Sequence, residues 1–351
     1  MKKSILNLGI VGCGGIAGAH GEAAKALGHE LRFVAACDIR RESAEAWAGK
    51  FGAERVYTDY VEMIRKEALD GILLATWPNL HREQVARAVA AGARNILCEK
   101  ALAMTGKEAL QIYGIVHKAD AFLMEGFMYR HNPLIRRMER LLAIGDLGAV
   151  DNVRACFSAF DPETANAKDS NRNWRQRKEC GGGIPYDFAC YCVNACGHFA
   201  NSLPTRVYAT GGIGNYGTIN RFHGMIEYEN GVVGIIESSK KTSFTQELQI
   251  SCAHGILNIP IAWTIPGPEQ VITQRHTEWN STTYDRYTVN TTDNQYGLQL
   301  RNFAAVIRGD EKPVLPLEQS VVNMFTLEAL VKSVLEKRQV EVKIPKALRV
   351  A

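Results

Sequence analysis

Short apolar runs alternate with segments of helical period over the first 125 residues. The runs at 8–11, 31–37, 71–75, 95–98 and 121–124 read as strands. Gly71-Ile72-Leu73-Leu74-Ala75 has no polar position, as expected of a parallel strand buried on both faces. Between the strands, apolar residues recur at the spacing of one helix face over 15–27, 41–51, 81–91 and 105–118. This alternation predicts successive βαβ units around a parallel sheet. Past Met138 the pattern changes. A helix running to about residue 144 is followed by strand-like runs at 150–160, 206–211, 224–228, 231–238, 248–252 and 255–259, with no regular helices between them. Glu229-Asn230-Gly231 is a hairpin signal, so an open, mostly antiparallel sheet is expected. Helical periodicity returns at 298–308 and 317–337. The pattern predicts an α/β chain, with a parallel-sheet domain over 1–129 and an α+β domain over 130–351.

A chain of 351 residues exceeds the ~250 to 300 that one hydrophobic core usually serves, which agrees with two domains. Apolar residues at 46% and charged residues at 22% exclude a disordered or fibrous chain. Forty-one Lys and Arg against 37 Asp and Glu leave +4, and the only tight basic cluster is Arg172, Arg175, Arg177 and Lys178. That is no basic face for a phosphate backbone, so no nucleic-acid partner is expected. No stretch supplies ~20 uninterrupted apolar residues, so no membrane partner is expected either. The start, Met1-Lys2-Lys3 followed by an apolar run ending in Ala17-Gly18-Ala19, imitates a secretory signal. The five glycines within 9–18 and the helical pattern that follows point instead to a first strand and its turn. Nine cysteines are an odd number, and Cys180, Cys190, Cys192 and Cys196 lack paired zinc spacing. Free thiols in a reducing cytoplasm and no metal site are expected, with Cys190, Cys192 and Cys196 as small buried residues.

The segment from Leu8 to Gly18 is a strand followed by G-x-G-x-x-A at the opening of a helix. Gly12 permits the tight turn, Gly14 lets the backbone approach a pyrophosphate, and Ala17 lets helix and strand pack closely. The helix start offers unpaired amides and a positive dipole end to the phosphates. The second strand ends in Asp38, 26 residues past Gly12, where a carboxylate can accept both adenosine ribose hydroxyls. Together these are the marks of a dinucleotide-binding Rossmann domain. Asp38 favours NAD because a carboxylate repels a 2′-phosphate, whereas Arg40 and Arg41 close behind offset that repulsion and leave NADP open.

Leu97-Cys98-Glu99-Lys100 puts a charged pair where an apolar strand terminates, and ligands of open α/β sheets bind at such ends. Lys100 is therefore placed for chemistry, or is an ordinary surface lysine. The preceding strand ends in Thr76-Trp77-Pro78-Asn79-Leu80-His81, a loop lined with hydrogen-bonding groups. There Asn79 is the candidate helix cap, and His81 is either a satisfied first-turn histidine or a cofactor contact. In the second domain, three glycines and Pro185 make a flexible lead-in and a fixed first turn for a helix carrying Asp187 and Tyr191. Those two are four apart and share one face. Facing an interdomain cleft, they would bind a polyol and shuttle its proton. Alternatively, Asp187 answers the helix dipole and Tyr191 packs in the core. Trp174 and Arg175 offer a stacking ring and a donor for anions or hydroxyls, or belong to an exposed loop.

Gly12-Cys13-Gly14-Gly15-Ile16-Ala17, the 76–81 loop, Glu99-Lys100, Tyr129-Arg130, Trp174-Arg175 and the 181–194 segment together resemble one family over nearly the whole chain. It is the glucose-fructose oxidoreductase, inositol dehydrogenase and rhizopine-catabolism family, Gfo/Idh/MocA. The resemblance implies a C-terminal sheet that forms oligomer interfaces. It implies cofactor contacts at Gly12, Gly14, Gly15, Ile16, Asp38, Ile39, Arg40, Thr76, Trp77, Asn79, His81, Glu99, Lys100 and Tyr129. Substrate contacts would come from Arg130, Trp174, Arg175, Asp187 and Tyr191. Two positions depart from the family pattern. Ala101 replaces a proline that would hold the backbone of Lys100 extended. Tyr191 stands where most relatives carry the catalytic histidine, as in the branch that includes glucose-fructose oxidoreductase, D-xylose dehydrogenase and dimeric dihydrodiol dehydrogenase.

The reaction so implied is reversible hydride transfer between nicotinamide and a carbinol carbon of a sugar, polyol or glycoside. Free tyrosine, with a pKa of ~10, is a poor proton acceptor unless a nearby cation favours its phenolate. In this reading Tyr191 is the general acid/base, Lys100 is that cation or exchanges the proton itself, and Asp187 orients a hydroxyl. Two rivals stand beside it: a glycosidase or lyase cycle in which NAD oxidises a hydroxyl only transiently, and a sugar- or cofactor-sensing module without chemistry. A sensor has no need of Lys100, Asp187 and Tyr191 together. A homo-oligomer formed through the C-terminal sheet is expected, since an uncovered sheet face is usually buried against a neighbour.

Overall fold

The computed structural model describes residues 4–161, 173–264, 269–278, 281–290 and 294–349. The N-terminal half runs β1 (Leu6–Val11), α1 (Gly15–Ala26), β2 (Leu31–Cys37), α2 (Arg41–Phe51), β3 (Arg55–Tyr57), α3 (Tyr60–Lys66), β4 (Gly71–Leu74), α4 (Pro78–Ala91), β5 (Asn95–Glu99), α5 (Gly106–Lys118) and β6 (Phe122–Gly126). The six strands form one parallel sheet in the order β3-β2-β1-β4-β5-β6. All four residues of β4 are buried, as its apolar run requires of a central strand with both faces covered. The strand order reverses between β1 and β4, where such sheets leave a crevice at the carboxyl ends. The hydrophobic pattern misses β3 and α3, which at three and seven residues are too short to show a period.

The chain continues through α6 (Pro133–Ile144), β7 (Val150–Cys156), α7 (Cys190–Ala200), β8 (Pro204–Ile213), β9 (Ile219–Tyr228), β10 (Val233–Ser239), β11 (Leu248–Cys252), β12 (Gly255–Ile259), β13 (Glu269–Glu278), β14 (Ser281–Asn290), α8 (Gln295–Ile307), α9 (Leu317–Glu336) and β15 (Val340–Glu341). A second sheet has the order β14-β13-β12-β11-β7-β10-β9-β8-β15. Its strands pair antiparallel except for β7 with β10. Along β9 the alternation is clean, with Phe222, Gly224, Ile226 and Tyr228 buried and Arg221 and Met225 exposed on the other face. The expected hairpin joins β9 to β10, with Gly231 at φ +86° and its N–H donating to the Tyr228 carbonyl at 3.0 Å. β7 ends at Cys156 rather than near residue 160, and Ser158 makes a single bridge to Thr245. β13 and β14 escape the pattern because Gln270, Thr273, Gln274, Thr282 and Thr283 break any apolar run.

The division into units differs from a cut after residue 129. The first unit comprises Met1–Ala103, Lys107–His131 and Asp293–Leu317; the second comprises Met104–Gly106, Asn132–Thr292 and Glu318–Ala351. The reason is packing. α8 buries Leu300, Phe303 and Ala304 in the same core as Leu8, Leu27, Leu31 and Met124. Phe303 stacks on Phe122 with ring centroids 5.8 Å apart, and a side chain at Gly71 would crowd it at 3.1 Å. Among the described residues no helix is long and apolar enough to cross a membrane.

Candidate active site

β1 delivers Gly12 to the point where the strand order reverses. Gly12 has φ +87°, and a Cβ there would lie 2.6 Å from the Ala75 carbonyl oxygen, so both backbone conformation and space demand glycine. Gly14 and Gly15 are exposed, with nothing within 4 Å of where a Cβ would stand, which leaves a bare backbone cradle. α1 starts behind Gly14 with no side chain capping it, so its first amides remain for an anion. Ile16 is half-buried, and Ala17 is fully buried. Asp38 accepts the N–H of Cys13 and the N–H of Arg40, each at 2.9 Å, which fixes its carboxylate beside the glycine loop. Ile39 and Arg40 are exposed, while Arg41 turns to Glu45 at 2.8 Å. A backbone cradle beside an anchored carboxylate fits the pyrophosphate and adenosine ribose of a dinucleotide.

Glu99 points inward. It is 5% exposed; one carboxylate oxygen lies 2.7 Å from Nε2 of His20 on α1, and the other accepts the Lys100 N–H at 3.2 Å. Two residues on, the Leu102 N–H donates to buried Glu125 at 2.8 Å. Nδ1 of His81 lies 3.1 and 3.2 Å from the carbonyl oxygens of Ala101 and Leu102, and its Nε2 lies 3.2 Å from that of Thr76. The Lys100–Ala101 peptide is cis. The segment after Lys100, which lacks the family proline, is thus held by buried side chains, and Lys100 itself is half-buried. Thr76 bonds Gln84 at 2.5 Å, and Trp77 and Asn79 are exposed. Asn79 is not the helix cap: Trp77 takes that position without a side-chain bond and Pro78 opens the first turn, where its missing N–H costs nothing. Tyr129 and Arg130 are 0% and 1% exposed, and Arg130 reaches the Val314 carbonyl at 3.4 Å.

In the second unit, the glycines before Pro185 are not a flexible lead-in. Gly181, Gly182 and Gly183 are all buried. A Cβ on Gly182 would lie 2.6 Å from the Arg177 carbonyl oxygen and 2.7 Å from that of Arg175. Gly182 therefore lets two backbones cross in contact, while Gly181 and Gly183 take left-handed backbone at φ +84° and +103°. One π-type turn, Pro185–Ala189, leads into α7. Asp187, in that turn, is 2% exposed, and its Oδ2 accepts from Arg175 at 3.0 Å and from Lys240 at 2.9 Å. Arg175 lies over the Trp174 ring at 4.9 Å, and the Lys240 amine over Phe188 at 4.2 Å. Asp161 stands 3.7 Å from the same amine. Tyr191 is 5% exposed, its ring edge-on to Phe157 at 5.4 Å and 5.9 Å from Trp263.

Asp187 is thus countered by two cations rather than by a helix dipole, and Tyr191 is clamped among aromatic rings. The structure brings Trp174, Arg175 and Asp187 together and adds Lys240 and Asp161, which the sequence reading missed. A signal for Lys240 exists: it continues the buried positions 234, 236 and 238 of β10 at a period of two. Arg175, Asp187, Lys240 and Asp161, with Phe160, Asn173 and Phe188, line a crevice of about 470 Å³; Arg172 lies outside the described residues. Cys190, Cys192 and Cys196 are buried, and burial pushes the Cys196 thiol up to about 12, so it is no nucleophile.

Two outcomes are expected. Lys240→Met removes a buried cation 2.9 Å from the buried Asp187 carboxylate, and should cost about 3 kcal/mol in denaturant unfolding, with Lys240→Arg recovering part of the loss. A loss under about 0.5 kcal/mol would remove Lys240 from the account. Burial lowers the pKa of His81 from its ordinary 6.5, despite the carbonyls around it. A depressed histidine pKa means that the unfolded chain binds the proton first, so stability falls as pH drops below about 6.5. The slope from this group approaches about 1.4 kcal/mol per pH unit, and His81→Phe should flatten it in unfolding curves taken between pH ~7 and ~5.

Residues 6–127 match the family described as "Oxidoreductase family, NAD-binding Rossmann fold", and residues 135–258 match the GFO/IDH/MocA C-terminal domain. D-xylose 1-dehydrogenase (NADP(+)) 2 of Haloferax volcanii is 31% identical over 314 residues, covering 89% of this chain and 91% of that protein. The 1,5-anhydro-D-fructose reductase of Ensifer adhaerens is 25% identical, covering 89% and 90%. Among solved structures, a 3-ketoreductase from Actinomadura kijaniata in complex with NADP and TDP-benzene superposes with a TM-score of 0.82 at 21% identity, covering 94% of this chain and 98% of that one. The aldose-aldose oxidoreductase of Caulobacter crescentus complexed with glycerol superposes with a TM-score of 0.84 at 20% identity, covering 96% and 100%. With both family domains matched in order, and a relative above 30% identity along most of its length, this chain belongs to the Gfo/Idh/MocA family of oxidoreductases.

Proposed function

We propose that this oxidoreductase transfers a hydride between a nicotinamide dinucleotide and a carbinol carbon of a neutral sugar, polyol or glycoside. The carrying observation is the crevice at Asp187. Its carboxylates, Asp187 and Asp161, are matched by two cations, Arg175 and Lys240, so it suits hydroxyl groups better than a net-charged substrate. Gly12, Gly14, Gly15 and Ile16 take the pyrophosphate, Asp38 with Ile39 and Arg40 takes the adenosine ribose, and Thr76, Trp77 and Asn79 flank the rest of the dinucleotide. His81, Glu99 and Tyr129 act from below, as buried supports. When bound, the nicotinamide supplies the hydride acceptor. Asp187 orients a substrate hydroxyl, Trp174 and Arg175 flank it, and Tyr191 exchanges the alcohol proton. Lys100 is the cation that favours the phenolate and polarises the substrate oxygen. Arg130, at 1% exposure, supports the site from within rather than touching substrate. NAD is the preferred cofactor, because the anchored Asp38 carboxylate opposes a 2′-phosphate; exposed Arg40 leaves NADP usable.

Nine free thiols suit a reducing compartment, and we assign the enzyme to the cytoplasm. The outer sheet face is taken as the homo-oligomer contact, since Tyr208 stands opposite Met225 and Met225 opposite Ile235 in one apolar strip. Light scattering should show an oligomer that Tyr208→Glu with Met225→Glu disperses; an undisturbed mass would place the contact elsewhere. For the chemistry, aldoses, inositols and glycosides are screened with NAD and NADP for the near-ultraviolet absorbance of reduced nicotinamide. Stoichiometric reduction is expected, whereas product formed without it would mean transient oxidation. Lys100→Met should abolish turnover and spare NAD binding; turnover kept within about tenfold, under 1.4 kcal/mol of barrier, would refute the assigned role.

A further inference from the structure

A second cavity, of about 290 Å³, lies wholly within the second unit and shares no residue with the crevice at Asp187. The later turns of α7 form one wall with Asn194 and His198, and the first turns of α9 form another with Gln319 and Asn323. Ser202, Glu229 and Glu318 also line it. Asn323 is only 4% exposed, yet neither its amide nitrogen nor its amide oxygen has a protein partner. A buried amide is costly when unsatisfied, so this wall is made for a polar occupant.

The charges around the cavity narrow what that occupant is. Glu229 is 3.5 Å from Arg349, and His198 is 2.7 Å from Glu139. The cations are thus answered locally, and no cluster of positive charge remains for a phosphate or carboxylate. Asn201, Ser202 and Gln319 add uncharged donors and acceptors beside Asn323, while Val193, Leu203 and Val322 add hydrocarbon. An amide offers one acceptor and two donors, which matches adjacent hydroxyls on a carbon chain or ring. The volume is near the ~300 Å³ at which small-molecule pockets begin and far above the ~10 to 15 Å³ that one water needs.

We infer that this cavity is a second binding site, for a neutral polyol, with the Asn323 amide as its anchor. A molecule held there touches α7 on turns beyond the one that carries Tyr191. The test soaks crystals of the full-length protein with myo-inositol, and titrates myo-inositol calorimetrically into the wild type and into Asn323→Leu. Density with hydroxyls in hydrogen-bond range of Asn323 is expected, along with a binding event that Asn323→Leu weakens at least about tenfold, the worth of one good hydrogen bond. Water alone in the cavity, or an Asn323→Leu titration identical to wild type, would overturn the proposal. A soak with inorganic phosphate that fills the cavity while myo-inositol does not would overturn its chemical class. Should Asn323→Leu fail to fold, Gln319→Leu on the same wall reads out the same loss, and an unchanged titration there counts against the site.

Discussion

The carboxylate of Glu99 sits in the interior of the first unit, 2.7 Å from a histidine that belongs to the first helix after the glycine loop. Much of the nucleotide-binding half hangs on that contact. The N-terminus of α1 is where phosphates would rest, and the backbone of Lys100 follows directly from Glu99. His20 therefore ties two parts of one site together through the core, and its ring, fully buried, is steadied edge-on by Tyr296 at 5.2 Å. At this depth the low local dielectric strengthens the bond that is made and penalises its loss. Glu125 and His81 extend the same scheme to the next two peptides. The backbone of half-buried Lys100 is thus held by groups that are themselves buried.

The second unit uses the same physics around Asp187. Asp187 could not remain buried alone, and Arg175 and Lys240 approach its one oxygen from two directions. Lys240 also rests on Phe188, so part of what replaces its hydration is an aromatic face. A balanced cluster of this kind fixes a carboxylate in place while its two cations and two carboxylates offset one another.

Features governed by local geometry were legible in the sequence. Gly12 is readable because a positive φ and a carbonyl at 2.6 Å leave no other residue possible there, and Asp38 because its distance from Gly12 follows from one βαβ repeat. The strands of the first sheet are readable because burial on both faces leaves no polar position in a run such as β4. Partnerships over long chain separations were not. His20 and Glu99 are 79 residues apart, and Lys240 and Asp187 are 53 apart. A histidine in mid-helix or a lysine after a strand carries no mark of its partner. Asn79 was mistaken for a cap because cap propensity is common to many polar residues, whereas Pro78 had already fixed where the turn begins. The glycines at 181–183 were misread for a related reason: composition shows that a side chain is missing but not whether space or freedom required its loss.

The return of α8 to the first unit bears on how the protein is made. A ribosome releases β1 through β6 well before residues 295–307 emerge, so Leu27, Phe122 and their neighbours must wait, apolar surface uncovered, until α8 has been synthesised. The nucleotide-binding unit therefore leaves the exit tunnel ahead of the helix that seals its core, and for that interval it is open to the contacts that chaperones and aggregation both exploit.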